Sequence, residues 1–176
     1  MRLRPLLLLL LSLPLLNVVH GADLTPTRIV VRAVSHDAKI IGSGVGGALI
    51  TIRDLEEDVI LARGVQLGGT GDTDRIIRTP HQRGESIYDT QGAAYFETTL
   101  LLDEPTVVEV MAEGPLAYPQ AIQSASKTLL LVPGKHLEGD GIVLMIHGFI
   151  LRILEPQGTE VAAGEAVDLK VRMNIT

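Results

Sequence analysis

Four histidines follow the first twenty residues: His36, His81, His136 and His147. Converging imidazoles hold copper or zinc, and Met111 or Met145 could add a soft sulfur for Cu(I). No two of these histidines stand at an i, i+4 interval. His36, His81 and His136 fall in turn-like or loop-like stretches, whereas His147 lies in an apolar run and reads as a packed or edge residue. Asp72 and Asp74, in Gly71-Asp72-Thr73-Asp74, set hard oxygen ligands at alternate positions, half of a calcium loop that Asp89 or Glu85 would complete. The remainder of the calcium pattern is missing. The candidate metal ligands are therefore Asp72, Asp74, His36, His81 and His136, for copper, zinc or calcium; no organic cofactor is predicted. A nucleophile is harder to find. The chain has no cysteine, and Ser43, the nearest approach to Gly-x-Ser-x-Gly, lacks the glycine two residues before it. Glu56-Glu57 reads as a solvated turn.

The glycines of Ile40-Ile41-Gly42-Ser43-Gly44-Val45-Gly46-Gly47 match G-x-G-x-x-G after a short apolar run. On a dinucleotide fold they would let backbone approach a pyrophosphate at a helix N-terminus. The context argues otherwise. Residues after Gly47 alternate and are β-branched, so they form a strand. The next apolar run begins at Val59, too soon for a crossover helix, and it reaches Arg63 where a ribose site wants an acid. A glycine-rich connection between strands is the simpler reading.

The elements that must position these residues begin after a leader. Arg2 and Arg4 precede an apolar stretch from Pro5 to Val19, then Val19-His20-Gly21-Ala22, the layout of a secretory signal. Cleavage after Gly21 makes residues 1–21 a signal peptide and the protein secreted or periplasmic. Cleavage before His20 would instead create a copper-chelating N-terminal histidine, but Val19 is a poor residue before a cut. Removing Arg2 and Arg4 leaves 13 basic residues against 21 acidic, a net charge of −8. That balance disfavours nucleic acid and anionic membranes. With no Trp, three Tyr and two Phe, stacking platforms for sugars are scarce. No transmembrane segment is expected in the mature chain.

Short Val-, Ile-, Thr- and Leu-rich runs punctuated by Gly and Pro predict strands at 28–34, 48–54, 59–66, 95–102, 106–113, 129–132 and 141–154, the last broken near Gly148. Val108, Val110 and Ala112 share one face of the fifth, Glu109 and Glu113 the other, as in a half-buried antiparallel sheet. Residues 68–92 form a long polar loop, with a short strand expected at Ile76-Ile77; loops of this length inside a compact domain are often functional. The expected fold is all-β: an antiparallel two-sheet immunoglobulin-like sandwich of about seven strands over residues 22–154. Residues 155–176 add strands, including alternating Val167, Leu169, Val171 and Met173. These either complete the one domain or open a truncated second unit, and the second reading is preferred.

Gly47-Ala48-Leu49-Ile50-Thr51-Ile52-Arg53-Asp54, a turn, and Ile60-Leu61-Ala62-Arg63-Gly64 resemble the hairpin of transthyretin-like and carboxypeptidase-regulatory-like sandwiches. Gln66 or Leu67 stands where that pattern has threonine. The resemblance spans about 25 residues and implies a seven-stranded accessory or adhesion-type module. The hydroxyisourate hydrolases of that fold need a C-terminal Tyr-Arg-Gly-Ser that this sequence does not carry, so their activity is not implied. The leading expectation is an exported, non-catalytic module that binds a protein partner through sheet edges or the 68–92 loop. The alternatives are an exported metal-binding protein and, third, a nucleotide-dependent enzyme built on Gly42–Gly47.

Overall fold

The computed structural model describes residues 23–36, 39–158, 160, 163–164 and 166–175. The leader at 1–21, its cleavage site and His20 lie outside these. Nine strands follow in order: β1 Thr25–Ser35, β2 Ala48–Asp54, β3 Ile60–Gln66, β4 Phe96–Leu102, β5 Thr106–Gly114, β6 Gln123–Leu131, β7 Leu137–Ile146, β8 Phe149–Glu155 and β9 Lys170–Ile175. Helical structure among the described residues is limited to single turns at 43–45, 74–78 and 119–121. No helix among the described residues is long and apolar enough to cross a membrane.

The expected all-β architecture is present. The first seven strands form two sheets, ordered β4-β1-β7 and β3-β2-β5-β6, while β8 and β9 form a ribbon apart. Alternation decides what each sheet buries. Ile29, Val31 and Ala33 of β1, Ile50 and Ile52 of β2, and Val108, Val110 and Ala112 of β5 point into one core, which Leu100, Leu131, Ile142 and Leu144 complete. The intervening residues of β5, from Val107 to Glu113, stay half-exposed. The β2–β3 turn is stapled by Asp54, whose Oδ1 accepts hydrogen bonds from the Glu56 and Glu57 amides. Those two glutamates are solvent-exposed.

Several expectations need correction. The sheets are not wholly antiparallel: β1 runs antiparallel to β4 but parallel to β7. Ile76-Ile77 is no strand but part of a π-helical turn at Asp74–Arg78. Asp72 Oδ1 accepts the amides of Asp74 and Arg75, which starts the turn instead of a ladder. β6 begins six residues earlier than its apolar part suggests, and β7 begins at Leu137. His147 is not within a strand; it sits exposed in the two-residue gap between β7 and β8. Among the described residues β9 pairs with β8, antiparallel.

One buried polar side chain ties the sheets together. Gln66, at the end of β3, is fully buried. Its Oε1 accepts the Ala33 amide at 2.7 Å, and its Nε2 donates to the carbonyls of Ala33 and Ile41 at 3.0 and 2.8 Å. A single amide thus completes the backbone pairing of β1 from the opposite sheet, where a buried main-chain group left alone would be costly.

Candidate functional site

The 68–92 segment is long but not structureless. Its stem is closed by hydrogen bonds from the Gly69 amide to the Gly92 carbonyl and from the Ala94 amide to the Gly69 carbonyl. Ile40, Ala93 and Ala94 form a small apolar centre beneath it, with Ile76 and Tyr88 packed on top. It is therefore an ordered loop that packs through Ile76 and Tyr88 on residues outside it.

Its tip is held by β7. Ile29 pairs with Leu137 but Val31 pairs with Ile142, so residues 138–141 bulge from the ladder. Gly139 and Gly141 have φ of 67° and 64°, and a Cβ on Gly141 would lie 2.2 Å from the Val30 carbonyl oxygen. Glycine is required there, because a side chain has neither the conformation nor the space. The bulge lifts Asp140 between the two glycines and aims its carboxylate at the loop. Oδ1 accepts the Ser86 hydroxyl and the Tyr88 and Asp89 amides at 2.7–2.8 Å, and Oδ2 accepts the Ile87 amide at 2.6 Å. Burial works against this charge. The hydrogen bonds from Ile87, Ser86, Asp89 and Tyr88 outweigh it, so the carboxyl is held below its ordinary value. The Tyr88 phenol is pushed up, chiefly by burial and then by the Asp140 charge.

A second tether lies one strand away. Arg28, Val30 and Arg32 occupy the face of β1 turned away from the core. Arg32 is almost fully buried under the loop. It donates to Asp89 at 2.8 Å and to the carbonyls of Ala94 and Gly139, and its guanidinium lies 5.3 Å from the centre of the Tyr95 ring. Its Nε has no hydrogen-bond partner. Arg28 reaches Glu138 at 3.3 Å and Glu97 at 3.6 Å. Between these side chains runs an open cleft of about 370 Å³, lined by Arg28, Arg32, Asp89, Tyr95, Glu97 and Glu138 among others. Half-exposed Tyr95 and two ion-paired arginines form a surface of mixed charge with an aromatic ridge. Such a surface can hold a ligand that brings both charge signs and an apolar group.

The sequence-predicted site residues do not assemble in that cleft. Asp72 caps the π-helical turn, and Asp74 Oδ1 pairs with Arg78 inside it. His81 Nε2 lies 3.3 Å from the Ile76 carbonyl oxygen, and His136 Nδ1 accepts the Arg28 amide at 3.0 Å. His36 lies in the turn directly after β1, and its ring centroid is 6.0 Å from that of His147. No three His, Asp or Glu side chains gather as a metal-binding set among the described residues. Met111 lies on the outer face of the second sheet in a cleft with Arg53, Arg63, Glu109 and Glu113. There the Arg53 hydrogen bond, followed by one from Ser126, holds the Glu109 carboxyl below its usual range. Met145 lines a separate shallow cleft with Lys127. Gly42–Gly47 forms a 3-10 turn leading straight into β2, with Gly46 and Gly47 at positive φ. A Cβ at Gly47 would lie 2.2 Å from the Gln66 carbonyl oxygen, so the motif serves a close strand approach.

Sequence reasoning passed over Asp140, Arg32 and Tyr95. One signal was present: an arginine amid Ile29–Val34 marks a paired buried charge, whereas Gly139-Asp140-Gly141 reads equally well as a turn. No family model, curated protein or solved structure matches the chain.

Proposed function

We propose that this chain is an exported, non-catalytic binding module of the transthyretin-like or immunoglobulin-like sandwich class, and that it engages a protein partner through the 68–92 loop and the cleft beside it. The fixing of that loop by Asp140 and Arg32 carries the reading. A long polar loop pinned to a packed sheet presents a constant relief, which is how rigid scaffolds carry recognition. The cleft adds the exposed Tyr95 and Arg28, residue types that dominate binding energy where proteins meet. The hairpin at 47–64 and the division of seven strands between two sheets support the fold class.

The test is cross-linking capture from cells that export the tagged protein, comparing the native chain with Tyr95→Ala. Tyr95 is half-exposed, so its truncation should leave the fold intact and reduce recovery of one defined partner at least tenfold. Equal recovery by both forms, or turnover of a small substrate by the purified protein, would refute the proposal.

One observation favours a second reading, an exported copper- or zinc-binding protein. Ser35 pairs with Ile146 in the parallel β1–β7 ladder, which sets His36 beside His147. On that reading, copper or zinc raises the melting temperature of the native chain and not of His147→Ala; no shift in either form removes it.

A further inference from the structure

We propose that the β8–β9 ribbon is a dimerisation surface whose occupant is the same ribbon of a second copy of this chain. In the antiparallel register Leu151 faces Met173 and Ile153 faces Val171, with Phe149 one pair further along. The period of two places all five on one face. They are 47% to 68% exposed. On the opposite face Ile150 is buried, β8 contacts the turn at Pro119–Ala121, and the exposed residues Arg152, Arg172 and Asn174 are polar.

A two-stranded ribbon is marginal alone in water and needs its apolar face covered. At roughly 100 Å² of exposed surface each, five such side chains offer about 500 Å² per copy. That is already near the largest patch of an ordinary monomer. Full burial of both faces would remove about 1,000 Å², the lower limit for a biological interface. Val167 and Leu169, also exposed, lie directly before β9 and add to the area.

The geometry favours a second copy over an unrelated partner. In a two-fold dimer both copies present this same apolar face, as an isologous contact requires, and its area reaches what such a contact needs. Among these five residues none carries charge, so two acidic chains can meet there without opposing like charges. Of the charged side chains of the strands, Arg152, Lys170 and Arg172 alternate to the other side, and Glu155, past a register shift at the end of β8, is paired with Lys170 at 3.3 Å.

Light scattering on the full protein as the expressing cell leaves it, at about 100 µM, should give the mass of a dimer. The chain has no cysteine, which permits a site-specific check. Leu151→Cys should form a disulfide-linked dimer on mild oxidation. Arg152→Cys, exposed on the opposite face, should cross-link at least tenfold more slowly. A monomer at 100 µM overturns the proposal and leaves the face to a different polypeptide. Equal cross-linking at the two positions also overturns it. Neither result bears on partner capture through Tyr95, which lies on a different element.

Discussion

Replacing Asp140 with alanine should free the tip of the 68–92 loop while leaving the two-sheet core folded. The substitution deletes the acceptor of four hydrogen bonds. Hydrogen bonds to a charged group contribute about 1.5–3 kcal/mol each when counted singly, and members of one network do not add. A total of about 2–4 kcal/mol is expected. The sharper readout is local: amide hydrogen exchange at Ile87, Tyr88 and Asp89 should accelerate by at least a hundredfold, while Ile50 and Val110 in the core keep most of their protection. Unchanged exchange at 87–89 would mean that the stem and the small apolar centre fix the loop without this carboxylate. Acid should mimic the substitution. A carboxyl whose folded value is depressed stabilises fully above its unfolded value near 4, and that contribution fades as pH falls through the folded value. Loop protection should therefore weaken below about pH 4, ahead of global unfolding. In Asp140→Asn that loss should be absent, because the titrating group is gone.

Gln66→Leu should cost more of the global stability. Leucine fits the volume and the apolar surroundings, but it leaves the Ala33 amide and the Ile41 carbonyl buried without the glutamine, while the Ala33 carbonyl keeps the Ile41 amide at 3.0 Å. Each unsatisfied group costs about 1–3 kcal/mol, less what water or relaxation recovers. A loss of about 3 kcal/mol, or roughly 5–15 °C in melting temperature, is expected for a chain of this size. Differential scanning calorimetry of the two forms decides it. A drop under 2 °C would show that β1 closes its backbone pairing without the glutamine. Because Gln66 sits next to the Gly68–Gly69 stem, the loop should loosen together with the core in this variant, whereas Asp140→Ala separates the two.

The strands were legible where alternation is strong. β2 was read at its observed bounds because Ile50 and Ile52 alternate with Thr51 and Arg53. The start of β6 was hidden because Gln123-Ser124-Ala125-Ser126-Lys127 is small and polar, as an edge strand tolerates. The start of β7 was hidden because Glu138-Gly139-Asp140-Gly141 reads as a turn. It is a bulge, and only the neighbouring strand distinguishes one from the other. The site was less legible for the same reason. Asp140 acts on residues more than fifty positions away, and the nearness of His36 to His147 arises from a parallel pairing that no local pattern encodes. Spacing drew attention to Asp72 and Asp74, whose carboxylates are used within a single turn.

The central place of β1 has a consequence for biosynthesis. The strand carries a nearly unbroken apolar run, Ile29 to Val34, and is flanked on both sides by later segments. Val31 meets Phe96 on one side and Ile142 on the other. A chain synthesised from its N-terminus therefore holds this apolar central strand without either neighbour until more than half of the sequence has emerged. Non-local pairing of this kind is slow to form, and an unpaired apolar strand is prone to aggregate meanwhile. β1 is the segment on which a chaperone would act during synthesis, and its dependence on such help should end once β7 has docked.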